Sequence, residues 1–181
     1  MAPTFPEKVI RYCPKCGSRE FVYNRDNSFL CGTCSFHLYI NSAAAVAALI
    51  INEKGELLLT RRAIEPQLGM LDLPGGFVDV METAENAIQR EIREELNLDI
   101  KEMKYFMSFP NEYVFGGLSV FTTDLAFICQ IKSFKNIKAQ DDISSFEFFK
   151  PADIPLNEIG SVSIKEIVKS FVKSKLDESN S

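Results

Sequence analysis

Three glutamates crowd into five positions at Glu91, Glu94 and Glu95, and four of the five cysteines come as two pairs, Cys13 with Cys16 and Cys31 with Cys34. Both clusters gather groups that repel one another once ionised, and both suit a cation. The cysteines form two Cys-x-x-Cys hooks separated by fourteen residues. Each hook offers two thiolates from a tight turn, and a hairpin between them can bring the hooks around one tetrahedral zinc ion. Four protein ligands complete that shell, so the zinc is structural and has no open position for catalysis. Gly17 and Gly32 each follow a cysteine and are expected to supply the backbone freedom of a metal knuckle. Two matched hooks so close in sequence argue against a redox pair. Cys129 lies in an apolar segment and reads as a core residue. His37 is the only histidine, which excludes catalysis by a histidine-ligated metal.

The glutamates fall in a segment with strong helical character, residues 83–97. At ~100° per residue, Ala84, Ala87, Ile88, Glu91, Ile92, Glu95 and Leu98 share one side, and Glu94 borders it. Asn86, Gln89, Arg90 and Arg93 fall on the other. Glu91 and Glu95 therefore sit one turn apart on a core-facing stripe, where like charges repel and burial adds a desolvation cost. Arg90 and Arg93 are expected to project away and leave that charge uncompensated. Hard oxygen ligands on one face suit Mg²⁺ or Mn²⁺, which bridge carboxylates to phosphate oxygens and neutralise a pyrophosphate. Thr83 is placed to cap the start of this helix and Asn97 to end it in a left-handed conformation.

The surrounding elements must position these groups. Residues 1–40 read as a small β zinc ribbon, with strands at Phe21–Tyr23 and Ser28–Leu30 and too few apolar residues to hold a core without metal. Asn41 and Ser42 form the hinge into a second domain, residues 41–181. There Ala43–Ile51 and Glu56–Thr60 read as strands joined by a turn at Asn52–Gly55, and a loop from Arg61 leads to Leu73, Pro74, Gly75 and Gly76. Further strands are expected at Lys104–Ser108, Thr122–Ile131 and Phe146–Phe149. An amphipathic helix over Ile159–Lys175 follows, with a polar, frayed tail from Leu176.

The segment from Gly76 to Leu98 resembles a known family. Gly76, Glu82, then Arg90, Glu91, Ile92, Glu94, Glu95 and Leu98 match the box of the Nudix hydrolases, Gly-x5-Glu-x7-Arg-Glu-apolar-x-Glu-Glu-x-Gly-apolar, with Asn97 in place of the last glycine. Average residue usage makes a chance match through Glu95 on the order of 10⁻⁶ per chain. The resemblance covers about residues 41–175. It implies an α/β fold, a Nudix α/β/α sandwich with a mixed sheet, and hydrolysis of a nucleoside diphosphate linked to another group. It also implies Mg²⁺ or Mn²⁺ on Glu91, Glu94, Glu95 and the carbonyl of Gly75. Glu82 and Arg90 would orient the loop and the glutamates through a salt bridge. Asp142, with Asp141 and Glu147 behind it, would supply a later acidic group.

A four-cysteine ribbon ahead of such a domain resembles the NADH pyrophosphatases more narrowly. Their downstream Ser-Gln-Pro-Trp-Pro-Phe-Pro-type signature is replaced here by Met107–Phe115, and the chain has no Trp. In that segment Tyr113 and Phe115 are candidates to stack on a base. NADH, ADP-ribose and FAD are the expected substrate types. A catalytically weak Nudix-fold module that binds a nucleotide or nucleic acid through the zinc ribbon is the competing reading, and the intact set of glutamates favours the enzyme.

Composition agrees with one globular domain plus a small module: 181 residues, 46% hydrophobic and 25% charged. Twenty Lys and Arg against 25 Asp and Glu give a net charge of −5, which disfavours nucleic acid held by bulk electrostatics. The longest apolar run, Ala43–Ile51, is too short to span a bilayer, and the N-terminus lacks the apolar core of a signal peptide. A cytoplasmic protein with a nucleotide-derived small-molecule substrate is expected, and a homodimer is left open.

Overall fold

The computed structural model describes residues 2–179, with the side chains of 178 and 179 left aside. The chain divides into two compact units. One comprises the residues up to Ala43 together with Glu112–Phe121, and the other comprises Ala44–Asn111 with Thr122–Ser181.

The first unit holds a short helix α1 (Pro6–Val9) and an antiparallel sheet of β1 (Phe21–Asn24), β2 (Ser28–Cys31) and β3 (His37–Tyr39), in that order. The β1–β2 turn closes through Asn27 at φ 58°, a conformation Asn tolerates. Phe21 stacks on Phe29 with ring centroids 5.0 Å apart. With Cys13 and Cys31 these rings form the buried core of the unit. Strand β3 is too short to show alternation in sequence and is defined by its pairing with β2.

The second unit is an α/β/α sandwich, and its strands explain why. In β4 (Ala43–Ile50), Val46, Ala48 and Ile50 pack with α2 (Ala84–Leu96), while Ala47 and Leu49 pack with α3 (Val162–Ser179). In β5 (Leu57–Arg62), Leu58 faces α2, and Leu57 and Leu59 face α3. Successive side chains point to opposite faces, so continuous apolar strands require a helix on each face. β5 pairs antiparallel with β6 (Leu71–Asp72) and with β9 (Ile143–Phe149). The order β4-β8-β7 builds a second group, with β7 at Ile100–Phe115 and β8 at Leu118–Ile131. A parallel bridge between Leu71 and Ile159 adds to these antiparallel ladders and makes the pairing mixed.

Helix α2 is capped as its sequence dictates. The Thr83 side chain accepts from the Asn86 N–H, and Asn97 ends the helix in the left-handed region at φ 53°. The Leu98 N–H returns to the Ile92 carbonyl at 3.3 Å, which satisfies one of the orphan acceptors at the helix end.

Several elements depart from the sequence expectation. β7 is far longer than Lys104–Ser108, because Pro110 and weak alternation conceal an edge strand that pairing stabilises, and β8 begins four residues before the expected Thr122. Arg61 and Arg62 extend β5 and do not open a loop; their partner strand β6 is only two residues long. Two 3-10 turns, Pro151–Asp153 and Leu156–Glu158, delay the last helix to Val162. That helix runs on to Ser179, so the expected frayed tail from Leu176 is helical in the described residues. No Gly or Pro interrupts it there.

Candidate active site and metal centre

In the first unit the four thiols of Cys13, Cys16, Cys31 and Cys34 lie within 4.8 Å of one another. Cys13 and Cys34 sulfurs are 3.7 Å apart, and those of Cys16 and Cys31 are 3.6 Å apart. A tetrahedral ion with Zn–S bonds of about 2.3 Å needs sulfurs about 3.8 Å apart, so the donor set fits one zinc-sized ion. Each hook closes with an N–H returning to its first cysteine. Gly17 donates to the Cys13 carbonyl at 2.8 Å, and Ser35 donates to the Cys31 carbonyl at 3.0 Å. The residues with positive φ are Gly17 and Ser35, not Gly17 and Gly32. Gly32 matters for space instead, since a Cβ there would lie 3.2 Å from the Glu20 carboxylate. Burial works against the Cys31 thiolate, but the N–H groups of Cys34 and Thr33 outweigh it and pull its pKa down to about 6. His37 bonds to the Ser28 hydroxyl at 2.8 Å and lies against the Tyr39 ring. Cys129 is buried, and burial pushes its thiol up to about 12, as suits a core residue.

In the second unit the loop after β6 is pinned to β4. Pro74 and Gly76 carbonyls accept from Ala48 and Val46, both at 2.8 Å. The Gly75 N–H then turns to α2 and donates to the Glu95 carboxylate at 2.9 Å. Gly75 is required by close approach to backbone, whereas at Gly76 the neighbour is the free end of the Glu91 side chain. A Cβ on Gly75 would sit 2.1 Å from the Val46 carbonyl oxygen, and one on Gly76 would sit 2.6 Å from the Glu91 carboxylate.

Glu82 and Arg90 form a two-point fork, with Nε to Oε1 at 3.0 Å and Nη2 to Oε2 at 2.9 Å. Arg90 also donates to Glu91 at 2.7 Å, to Glu94 at 3.2 Å and to the Phe77 carbonyl at 3.0 Å. This corrects the expectation that Arg90 turns away from the glutamates. Angular position on a helix sets only where a side chain starts, and a long guanidinium stem reaches round the cylinder. Arg93 does point outward, to Asp99 at 2.5 Å. Hydrogen bonds from Arg90 hold the Glu82 carboxyl below its usual range.

Among the described residues, Glu95 pairs with no arginine. Burial pushes its pKa up to about 8 against the Gly75 N–H, and the charges of Glu91, Asp72 and Asp142 push the same way. Burial also raises Glu91, although Arg90 opposes it. Glu94 is the exposed member of the set. The segment before β9 is stitched to the end of α2, with the Gln140 N–H on the Glu95 carbonyl at 2.9 Å and its side-chain amide on the Glu94 carbonyl at 3.2 Å. That stitching brings the charges of Asp141 and Asp142 to bear on Glu91 and Glu95 respectively. Glu147 lies exposed on β9 opposite Leu59.

Asp72 was missed from sequence. It is half-buried, paired with Arg62 at 3.1 Å, and desolvation pushes its pKa up to about 6. A lone acid ahead of a Leu-Pro-Gly-Gly turn carries no signal of its own. Tyr113, half-buried, and Phe115, exposed, belong to the first unit, whereas the glutamates belong to the second.

Glu95 is buried at the Gly75 N–H, while the half-buried Glu91 and the exposed Glu94 share Arg90, so the helix offers three carboxylates of unequal burial. Such a donor set fits Mg²⁺ or Mn²⁺. The NUDIX domain profile matches residues 41–171. The chain belongs to the NUDIX family. Among Nudix relatives, the ADP-ribose pyrophosphatase of Methanocaldococcus jannaschii is 34% identical over 160 residues, covering 87% of this chain and 86% of that protein. The NAD-capped RNA hydrolase NudC of Vibrio parahaemolyticus is 28% identical over 115 residues, covering 64% of this chain and 44% of that protein. The chain thus spans less than half the length of such NudC relatives. The fold matches the crystal structure of a Nudix hydrolase from Nitrosomonas europaea at TM-score 0.69 and 21% identity, covering 93% of each chain. Among the described residues no helix is long and apolar enough to cross a membrane.

Proposed function

We propose that this Nudix protein is a divalent-cation-dependent pyrophosphohydrolase of nucleoside diphosphate derivatives, with ADP-ribose as the leading substrate. The observation that carries the reading is the buried Glu95, held by the Gly75 N–H beside Glu91 with no cationic partner among the described residues. Such a group is stable as a carboxylate only with a cation nearby. A bound Mg²⁺ or Mn²⁺ would supply charge neutralisation for the pyrophosphate and an acidified water. Glu91, Glu94, Glu95 and the Gly75 carbonyl would hold it. Arg90, locked by Glu82, would set the rotamers of Glu91 and Glu94 and must release at least part of its grip on them when a cation binds. Asp142 would add a further carboxylate, acting as ligand or base.

Water attacks one phosphorus and the bridging oxygen leaves with the other, so ADP-ribose would give AMP and ribose 5-phosphate. ADP-ribose is preferred over capped RNA because the pyrophosphatase relative is matched along nearly its whole length. Tyr113 and Phe115 are proposed ring contacts on the ground of their chemistry, since base–aromatic stacking is worth ~1–3 kcal/mol. The ion in the ribbon is proposed to be zinc, in a structural role.

The test is a product screen of ADP-ribose, NADH, FAD and nucleoside triphosphates with Mg²⁺ or Mn²⁺. AMP release from ADP-ribose that stops with chelator supports the proposal. A best rate on free triphosphates, or no metal dependence, overturns it.

A further inference from the structure

Within the first unit, the tip of the β7–β8 hairpin is tied to the ribbon by the N-terminal segment. The Thr4 carbonyl accepts from the Ser119 N–H at 2.8 Å, and the two hydroxyls meet at 3.0 Å. Ser119 is buried. The Phe5 ring lies edge-on to Phe121 at 5.7 Å and to Tyr23 at 6.0 Å. Tyr23 packs in turn against Phe29 at 5.1 Å, and Phe29 stacks on Phe21. Phe21 is the register partner of the cysteine ligand Cys31. A continuous series of packed rings therefore runs from the thiolate site to the hairpin. The hairpin turns through Gly116 and Gly117, both at positive φ, and a two-residue glycine turn does little to order its own flanks.

We infer that Phe5, assisted by Thr4, is a positioning residue that ties the β7–β8 hairpin tip to the ribbon, so that the metal-holding state of the four cysteines controls the order of residues 112–121. The ribbon's small core depends on metal. When the thiolates lose it, Tyr23, Phe29 and Phe21 lose their packing, and Phe5 loses the surface that holds Phe121 and Ser119. The consequence for catalysis rests on the proposed ring contacts of Tyr113 and Phe115, which this hairpin carries.

Amide hydrogen exchange of the full chain reads the tie directly. Removing metal with a chelator under reducing conditions should speed exchange of the amides of 118–121 by about tenfold or more, including the Ser119 N–H. Phe5→Ala should do the same while metal content stays at one per chain, and Phe5→Tyr should restore protection. Thr4→Val, which removes only the hydroxyl pair, gives a second test should Phe5→Ala fail to fold; it should speed the same amides more modestly. Unchanged exchange in the chelated protein, or in both Phe5→Ala and Thr4→Val, overturns the inference. In kinetics with ADP-ribose, Phe5→Ala should raise KM about three- to tenfold with kcat within about twofold. Faster exchange with unchanged KM upholds the tie and instead overturns the substrate role of Tyr113 and Phe115.

Discussion

The thiolate site and the glutamate site face one electrostatic problem, a cluster of like charges that a cation relieves, and they are built into opposite kinds of surroundings. The ribbon core is Cys13, Phe21, Phe29 and Cys31, so half of its buried apolar members belong to the four-cysteine cluster. Burying two phenylalanines contributes roughly 3–6 kcal/mol, far less than the entropy of ordering about forty residues at ~1–2 kcal/mol each. There a metal would be part of the fold. The glutamate helix instead rests on fully buried Ala87, Ile88, Ile92 and Leu96, packed on strands that another helix covers from behind. There the fold stands without metal and uses its stability to hold Glu95 in a poor environment. On the proposed reading, metal would serve structure in one region and chemistry in the other.

The largest effect separates the two regions outright. Cys16→Ser or Cys31→Ser should abolish metal binding, read as loss of about one zinc per chain by elemental analysis. Exchange protection should collapse over residues 10–40, since structural zinc supplies about 10–16 kcal/mol in small modules, while the core of the second unit stays protected. Joint melting of both units would break the comparison.

The next effect is on turnover. Glu95→Gln and Glu91→Gln keep shape and remove a charge, and each should cost about a hundredfold or more in kcat if a metal ligand is lost. The thermal midpoint of the metal-free protein should hold or rise, because an uncompensated buried charge has gone. Activity within about twofold of the parent would reject the assignment.

The comparison sharpens further with pH. Glu95 moves from its ordinary 4.5 in the unfolded chain up to about 8 in the fold. Between those values the folded state keeps a proton that the unfolded state has lost, so this stabilisation is complete below pH 4.5 and is lost as pH rises to about 8. Asp72, raised from 3.8 to about 6, acts in the same direction over its own lower window. With chelator present, the midpoint of the second unit should fall from pH 5 to pH 8, and Glu95→Gln should flatten that fall. Saturating Mg²⁺ should restore stability most at the alkaline end. A metal-free midpoint that climbs over this range, with or without Glu95, would sink the claim.

The smallest effect concerns the hairpin. Tyr113→Ala should raise KM for ADP-ribose several-fold and leave kcat nearly unchanged, the pattern of lost uniform binding. An unchanged KM would leave the residue with packing alone.

Helix α2, from its Thr83 cap to its Asn97 stop, was legible in the sequence because caps and a 3.6-residue period are local properties. The two cysteine hooks were legible for a related reason, since ligand spacing within a hook is a matter of one tight turn. The strands β4 and β5 could be read from unbroken apolar runs, which need cover on both faces. What the chain does with the long arm of Arg90 could not be read, because its partners Glu82 and the Phe77 carbonyl belong to a loop whose path is set by β4. The lengths of β7 and β8, the pairing of Asp72 with Arg62 and the tie between Phe5 and Phe121 were hidden likewise. Each depends on pairing or packing that local propensity does not fix. Local propensity decides where a helix begins and ends, but only the packed chain decides which distant groups share a charge, a strand partner or a ring contact.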